Sequence, residues 1–141
     1  MRVCVIDGRG GGLGKRLIQK LRLHVDARDE IIALGTNDAA TKAMRLAGAS
    51  VTGTGEQRIK QALPTVDVIL APLNLVLPGS LLGEVTPAIA GAILSAQARK
   101  LLLPISHPEL HVVGVEALTL EHLIALTVDS VQALRRRSLP A

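Results

Sequence analysis

The chain has 141 residues, of which 48% are hydrophobic, and a formal net charge of +4 at pH 7. It contains one cysteine and no phenylalanine, tyrosine or tryptophan. This composition excludes an intrachain disulfide, a cysteine-rich metal site and a phenol as general acid, and it leaves only His or Arg to stack on a ligand.

The first part of the chain is predicted to be a strand and a helix joined by a glycine-rich turn. Residues 3–6 form a short, β-branched apolar run, which is typical of a strand buried on both faces. Within the next few positions the glycines are Gly8, Gly10, Gly11, Gly12 and Gly14. Apolar residues then recur at helical spacing at Leu17, Ile18, Leu21 and Val25.

The rest of the chain is predicted to alternate between strands and helices. Further strands are expected at residues 31–34, 50–52, 66–71, 101–105 and 111–115. Helices are expected after a cap among residues 36–38, after the second glycine turn at residues 53–56, at Thr86-Pro87 and after Thr119. Residues 73–82 are apolar and interrupted by proline and glycine, so we expect a lid or a contact surface there.

This alternation predicts an α/β fold with a doubly wound, mostly parallel sheet of Rossmann-like type. We expect one three-layer αβα domain spanning residues 1–141. The ligand cleft of such a sheet lies at the carboxyl ends of the strands, where the strand order reverses. The loops expected at that edge begin at Gly8, Gly35, Thr52, Pro72 and Ser106.

The glycine turn is the main candidate for a phosphate-binding site. Gly8, Gly12 and Gly14 match the G-x-x-x-G-x-G spacing of short-chain reductases, whereas the G-x-G-x-x-G and P-loop patterns fail. Backbone N–H groups of the turn and the helix N-terminus would receive the phosphate. The predicted binding residues are Asp7, Gly8, Gly10, Gly11, Gly12, Leu13, Gly14 and Lys15. The alternative is a tight turn without a ligand.

Polar residues at the other strand ends extend this candidate site. Asp7 is expected to accept hydrogen bonds from the turn amides, with a magnesium ion or a ribose as alternative partners. Thr36 and Asn37 would bind either a ribose hydroxyl or a 2′-phosphate, so NAD and NADP are both expected cofactors. Thr54 and Gly55 form a second anion-binding turn or, equally, a helix cap.

Candidates for acid–base chemistry are few. His107, next to Ser106, follows a predicted strand and is the first candidate. Glu84 is the second, with a cap-like contact near Thr86 as its alternative role. The remaining histidines have no metal-ligand spacing, so no metal site is predicted; they are His24, His111 and His122.

Several segments together resemble a known family. They are residues 5–15, which carry the pattern DGxGGGxGK, and residues 31–37, 54–56, 81–93 and 112–115. They are similar to a family of short, uncharacterised bacterial proteins that is catalogued as a domain of unknown function. The resemblance covers nearly the whole chain and implies a minimal Rossmann-type domain, without an established reaction.

We therefore expect a nucleotide- or dinucleotide-binding protein, with oxidoreductase chemistry by analogy of fold. The alternative is a non-catalytic ligand-sensing or assembly module of the same fold. We expect a homo-oligomer with residues 73–82 as its interface or lid, and neither a membrane nor a nucleic acid as partner. The cluster Arg135, Arg136 and Arg137 is expected to be a solvated helix end. Without a leader segment, a cytoplasmic location is expected.

Overall fold

The fold is built on a parallel β-sheet. The computed structural model describes residues 1–104 and 109–138. Within them the strands are β1 (Arg2–Asp7), β2 (Glu30–Gly35), β3 (Val51–Thr54), β4 (Val68–Pro72) and β5 (Arg99–Leu103). All pair in parallel, in the order β3-β2-β1-β4-β5. This is the order of the first five strands of a dinucleotide-binding sheet.

The strand order reverses between β1 and β4. From β1 the chain moves outward through β2 to β3, then returns to the other side of β1 for β4 and β5. In the centre of the sheet, Val5 pairs with Ala33 on one side and with Leu70 on the other. Because the connections on the two sides diverge, a crevice opens above the carboxyl ends of β1 and β4.

Helices cover both faces of the sheet. They are α1 (Gly12–His24), α2 (Asp38–Leu46), α3 (Glu56–Ala62), α4 (Pro87–Ser95) and α5 (Leu120–Ser138), with short 3-10 helices at Leu63–Thr65 and Leu73–Val76. Asn37, Thr86 and Thr119 each accept a hydrogen bond from a backbone N–H three residues along, which starts α2, α4 and α5. In the described residues no helix is long and apolar enough to cross a membrane.

The hydrophobic core has one layer on each face of the sheet. Val3 and Val5 of β1 belong to the layer with α1, α2 and α5, whereas Cys4 and Ile6 belong to the layer with α3 and α4. All four side chains are fully buried. Burial raises the pKa of Cys4 to about 12, so the thiol stays protonated and acts as a small hydrophobe. The predicted α/β, doubly wound, three-layer αβα architecture is confirmed.

One predicted strand is absent from the described residues, and the bounds of the others shift by one or two residues. Residues 111–115 form no strand, and Val113 is 88% exposed. A β-branched side chain favours a strand because it packs on a sheet surface, and the side chains of this segment are exposed. The strand predicted at residues 101–105 is β5, which starts two residues earlier because Arg99 pairs with Val68 of β4.

The C-terminal arginines are not all a solvated helix end. Arg135 forms ion pairs of 2.9 Å with Asp26 and with Asp29, whose side chain is 3% exposed. Arg136 and Arg137 are exposed, as predicted. The prediction was wrong for Arg135. Its partner Asp29 lies more than 100 positions away in the sequence, so no local pattern indicates the ion pair. These ion pairs tie α5 to the turn that precedes β2.

Candidate functional site

The candidate site is built on the turn between β1 and α1. Gly11 is the N-cap of α1 and has a left-handed backbone conformation with φ of 72°. Its N–H donates to the Gly8 carbonyl oxygen at 3.0 Å, which closes the turn. A Cβ atom at Gly11 would lie 2.7 Å from the Ala40 carbonyl oxygen of α2. Gly11 is therefore required both for its φ and for the close approach of α2.

Asp7 organises the turn from the end of β1. It is 6% exposed, and its carboxylate accepts hydrogen bonds from Gly8 N–H at 2.8 Å and Gly14 N–H at 2.7 Å. Burial raises the pKa of Asp7, and the two amide hydrogen bonds oppose that shift. Of the partners considered for Asp7, the turn amides are the ones observed.

Gly10 and Gly12 keep their backbone N–H groups open. In the described part of the chain neither N–H has a hydrogen-bond acceptor. Apart from the chain neighbours and the backbone of α1, no described heavy atom lies within 4 Å of the position that a Cβ would take at either glycine. Such donors are expected in and before the first turn of a helix. Two backbone donors of the predicted turn are thus available to an anion.

A cavity of about 980 Å³ lies above the carboxyl ends of β1 and β4. Its described walls come from the glycine turn, the end of β4, residues 79–82 and the start of α5. Of the predicted binding residues, those that line it are Asp7, Gly8, Gly10, Gly12 and Leu13. The cavity therefore occupies the crevice where α/β proteins of this topology bind ligands.

The cavity walls combine apolar surface with a few polar groups. Leu118 and Leu123 supply apolar surface from the region of α5. Asn74, just after β4, has a buried side-chain oxygen with no hydrogen-bond partner among the described residues. Arg9, at the tip of the glycine turn, also lines the cavity and is exposed. A ligand in this cavity would meet the Arg9 cation, the open amides and a wall that includes Asn74.

A lid, residues 77–85, covers one side of the glycine turn. Its backbone closes on itself, with Gly79 N–H donating to the Val85 carbonyl oxygen at 2.8 Å. Leu81 and Leu82 both have positive φ, at 55° and 54°, which is strained for a leucine. The Leu81 side chain packs directly over Gly8, whereas Leu82 is 95% exposed. Part of the segment 73–82, predicted to be a lid or a contact surface, therefore lies next to the candidate site.

Glu84 anchors the lid to the turn and to the end of β2. Its Oε1 accepts hydrogen bonds from Thr36 Oγ1 at 2.7 Å, Asn37 Nδ2 at 3.1 Å and Arg9 N–H at 3.1 Å. These donors, Thr36 first, hold the pKa of Glu84 below its ordinary value, so the side chain is an anion at neutral pH. Glu84 is not among the residues that line the cavity. The alternative predicted for it, a contact near Thr86, is not what the structure shows.

The second predicted turn is used within the fold. Thr54 Oγ1 donates to Thr41 Oγ1 at 2.7 Å, and Gly55 N–H donates to the Gly35 carbonyl oxygen at 2.9 Å. Thr86 Oγ1 donates to a carboxylate oxygen of Glu56 at 2.7 Å, which attaches the start of α4 to α3. This turn therefore supports neighbouring elements and does not border the cavity.

The remaining predicted site residues do not line the cavity or lie outside the described residues. Gly14 packs against Met44, since a Cβ there would lie 2.5 Å from the Met44 sulfur. Lys15 is exposed on α1 and does not line the cavity. His107 and its neighbour Ser106 lie outside the described residues.

Sequence reasoning missed two polar residues of the cavity. Arg9 carried a signal, because it is the one cation among the glycines of the turn. Asn74 carried another, because it follows a predicted buried strand at the edge where ligands bind. Across residues 1–104 and 109–138, no group of three or more His, Cys, Asp or Glu side chains is placed to hold a metal ion.

Comparison with known proteins places the chain in a family. A solved structure, the dodecameric FMN-dependent Ubix-like decarboxylase from Escherichia coli O157:H7, is similar with 17% sequence identity and a TM-score of 0.47. The similarity covers 94% of this chain and 76% of that one. No curated protein sequence gives a significant match. Residues 2–136 match the family model described as "Domain of unknown function (DUF3842)", and the chain belongs to that family.

Proposed function

We propose that this protein binds a nucleotide-type ligand in the cavity between β1 and β4. The ligand phosphate lies on the open N–H groups of Gly10 and Gly12, and the ring lies against the apolar wall near α5. One observation carries the proposal: unpaired backbone donors at the start of a helix of 13 residues border a cavity at the strand-order reversal.

Electrostatics favour a negatively charged group at this position. The N-terminus of α1 carries roughly half a positive elementary charge from the aligned peptide dipoles. Arg9 adds a full charge from the tip of the turn, and α1 has no acidic residue in its first turn. The carboxylate of Asp7 accepts from Gly8 and Gly14, and Gly11 donates to the Gly8 carbonyl oxygen, which leaves Gly10 and Gly12 for the ligand.

NAD and NADP are the extended form of this proposal, which requires a movement of Glu84 from the position it occupies here. A dinucleotide of either kind would place its second ribose toward β2, at Thr36 and Asn37. Because Glu84 holds both of those side chains, its carboxylate must move before either cofactor binds in that way. Thr54 and Gly55 belong to the same extended form of the site.

A second candidate function is ligand sensing without catalysis. The observation that favours it is the shortage of acid–base groups around the cavity. Among the described lining residues, the carboxyl groups belong to Asp7 and Glu109 and there is no histidine. A sensor would bind the same ligand and release it unchanged, so single-turnover assays with bound ligand separate the two functions.

The experiment that tests nucleotide binding combines native mass spectrometry with thermal-shift measurements. Gently purified protein is examined for a co-purifying nucleotide, and AMP, ATP, FMN, NAD and NADP are then added in turn. A ligand at 100 times its Kd adds about 2.7 kcal/mol to the free energy of unfolding, which raises Tm by roughly 10 °C for a chain of this size.

Two matched glycine variants locate the binding site. Gly12→Val fills the space above the open amides, and its Cβ meets no atom within 4 Å. Gly91→Val is the control, because Gly91 has equal space, lies exposed on α4 and is remote from the cavity. We expect Gly12→Val alone to abolish the ligand-induced shift. Equal shifts in both variants would show that the glycine turn is not the binding site.

A further inference from the structure

Resting on the proposed nucleotide site, we infer that Glu84 determines its specificity. The lid carboxylate fills the half of the site above β2, and this restricts the site to ligands with a single nucleotide unit. Dinucleotides are excluded as long as the carboxylate stays in place. The occupant is therefore a phosphate ester that carries one ring.

The first argument is the direction in which the cavity extends. Its described lining residues come from the turn after β1, from residues 79–82 of the lid, from the ends of β4 and β5 and from the start of α5. None of the described residues at the ends of β2 or β3 is among them. A phosphate on Gly10 and Gly12 thus has room for its ring on the β4 side alone.

The second argument is what occupies the opposite side. A dinucleotide in a sheet of this order spans the reversal and places one nucleoside above β2. Here the space above Gly8 is already filled, since a Cβ at Gly8 would lie 2.5 Å from Leu81 Cδ1 and 2.7 Å from Thr36 Oγ1. Glu84 Oε1 lies 3.1 Å from the same point. The lid therefore stands where the second nucleoside would lie.

The third argument concerns the donors that a second ribose would use. Glu84 Oε1 takes the Thr36 hydroxyl, the Asn37 amide and the Arg9 N–H together. Hydrogen bonds to an ionised acceptor are about twice as strong as those between neutral groups. A dinucleotide must break all three before its ribose reaches these donors, and a 2′-phosphate would in addition meet the negative charge of Glu84. A mononucleotide breaks none of them.

The test uses NAD and its two halves, AMP and nicotinamide mononucleotide, as probes. Dissociation constants are measured by calorimetry for wild-type protein, for Glu84→Ala and for Glu121→Ala, an exposed glutamate of α5 that serves as control. We expect wild type and Glu121→Ala to bind at least one half at least tenfold more tightly than NAD. Glu84→Ala should bind NAD at least tenfold more tightly than wild type does, with its affinity for the half unchanged.

A second variant, Glu84→Gln, guards against a folding defect in the alanine variant. Its amide oxygen accepts from the same donors but carries no charge, so its preference for the half over NAD should lie between those of wild type and Glu84→Ala. Wild-type protein that binds NAD as tightly as its halves, or a preference unchanged in both variants, overturns the inference. If none of the three probes binds any variant, the proposed function itself is overturned and the inference falls with it.

Discussion

Two buried aspartates differ in how their charge is balanced. They lie at opposite edges of the sheet, in the sense of the amino and carboxyl ends of its parallel strands. Asp29, just before β2, is paired with Arg135 at 2.9 Å and with the Met1 amino group at 3.0 Å. Asp7, at the end of β1, accepts hydrogen bonds from the amides of Gly8 and Gly14. Among the ion pairs of the described residues, none includes Asp7.

The difference separates a structural edge from a candidate binding edge. A cation next to a buried carboxylate balances its charge, so that no ligand is needed to neutralise it. Backbone amides balance the charge of Asp7 only in part, which is why burial still raises its pKa. Of the turn amides that Asp7 does not use, those of Gly10 and Gly12 have no acceptor among the described residues, and both residues line the cavity. We therefore expect changes at the Asp29 edge to alter stability, and changes at the Asp7 edge to alter binding.

The largest effect is expected at the structural edge. Arg135→Leu removes the guanidinium from the buried Asp29 carboxylate but leaves the Met1 amino group as its other partner. Loss of one member of a buried ion pair costs about 3–5 kcal/mol when the remaining charge is uncompensated, so we expect the lower end of that range, about 3 kcal/mol. The next residue, Arg136, is exposed and serves as control. We expect chemical denaturation to show that loss for Arg135→Leu and a change below about 0.5 kcal/mol for Arg136→Leu. Equal stability of the two variants would remove the structural role given to this edge.

Neighbouring glycines of the turn should respond in opposite directions. Gly11→Ala places a Cβ against the Ala40 carbonyl oxygen in a left-handed conformation, so we expect a loss of about 2–3 kcal/mol. Gly12→Ala meets no atom and restricts the unfolded chain, so we expect a gain of about 0.4–1 kcal/mol. Thermal denaturation of the two variants measures both values. A loss of stability for Gly12→Ala as large as that for Gly11→Ala would show that Gly12, like Gly11, is required for packing.

Most of the fold could be predicted because its signals are local. The apolar runs that became β1 and β2 and the caps at Thr86 and Thr119 lie within a few residues of the elements they start. The strand predicted at residues 111–115 was wrong because it was based on a local signal alone. A β-branched pattern does not reveal whether a sheet surface is near.

The candidate site was predictable only in part. The glycine turn was visible as a motif, and the spare donors of Gly10 and Gly12 follow from its connection to a helix. That Glu84 takes the Thr36 and Asn37 donors depends on a contact across 47 to 48 positions, which no spacing rule contains. The same holds for Asn74, whose unpaired oxygen exists only because the folded wall offers it no donor.

Asn74 should affect binding more than stability. Its buried side-chain oxygen lacks a partner, so replacing the amide by leucine removes an unsatisfied acceptor and should change the free energy of unfolding by less than about 0.5 kcal/mol. The same change removes a polar side chain from the cavity wall, and we expect about tenfold weaker binding, or about 1.4 kcal/mol. Calorimetry and denaturation of Asn74→Leu measure the two quantities. A large loss of stability with unchanged affinity would assign Asn74 to the structural part of the molecule.

The finest distinction lies between the two carboxylates that face the glycine turn. Asp7 is buried and its pKa is raised from 3.8, whereas the donors around Glu84 lower its pKa from 4.5. The raised pKa means that Asp7 favours folding most when protonated, and this contribution is lost as the pH rises through the folded pKa. Glu84 has the opposite sign: its ionised form stabilises the lid above pH 4.5, and the contribution is lost as the pH falls through its lowered pKa.

Amide chemical shifts can follow the two titrations separately. Gly14 N–H reports on Asp7 and Arg9 N–H reports on Glu84, because each donates directly to the carboxylate concerned. We expect the Gly14 signal to titrate above pH 3.8 and the Arg9 signal below pH 4.5, with the Arg9 inflection absent in Glu84→Gln. A Gly14 inflection below pH 3.8 would mean that the amides balance the Asp7 charge in full. The Asp7 carboxylate would then be a fully balanced anion within the fold, as the Asp29 carboxylate is. The open N–H groups of Gly10 and Gly12 would then follow from the start of α1 alone and would be no evidence for a ligand.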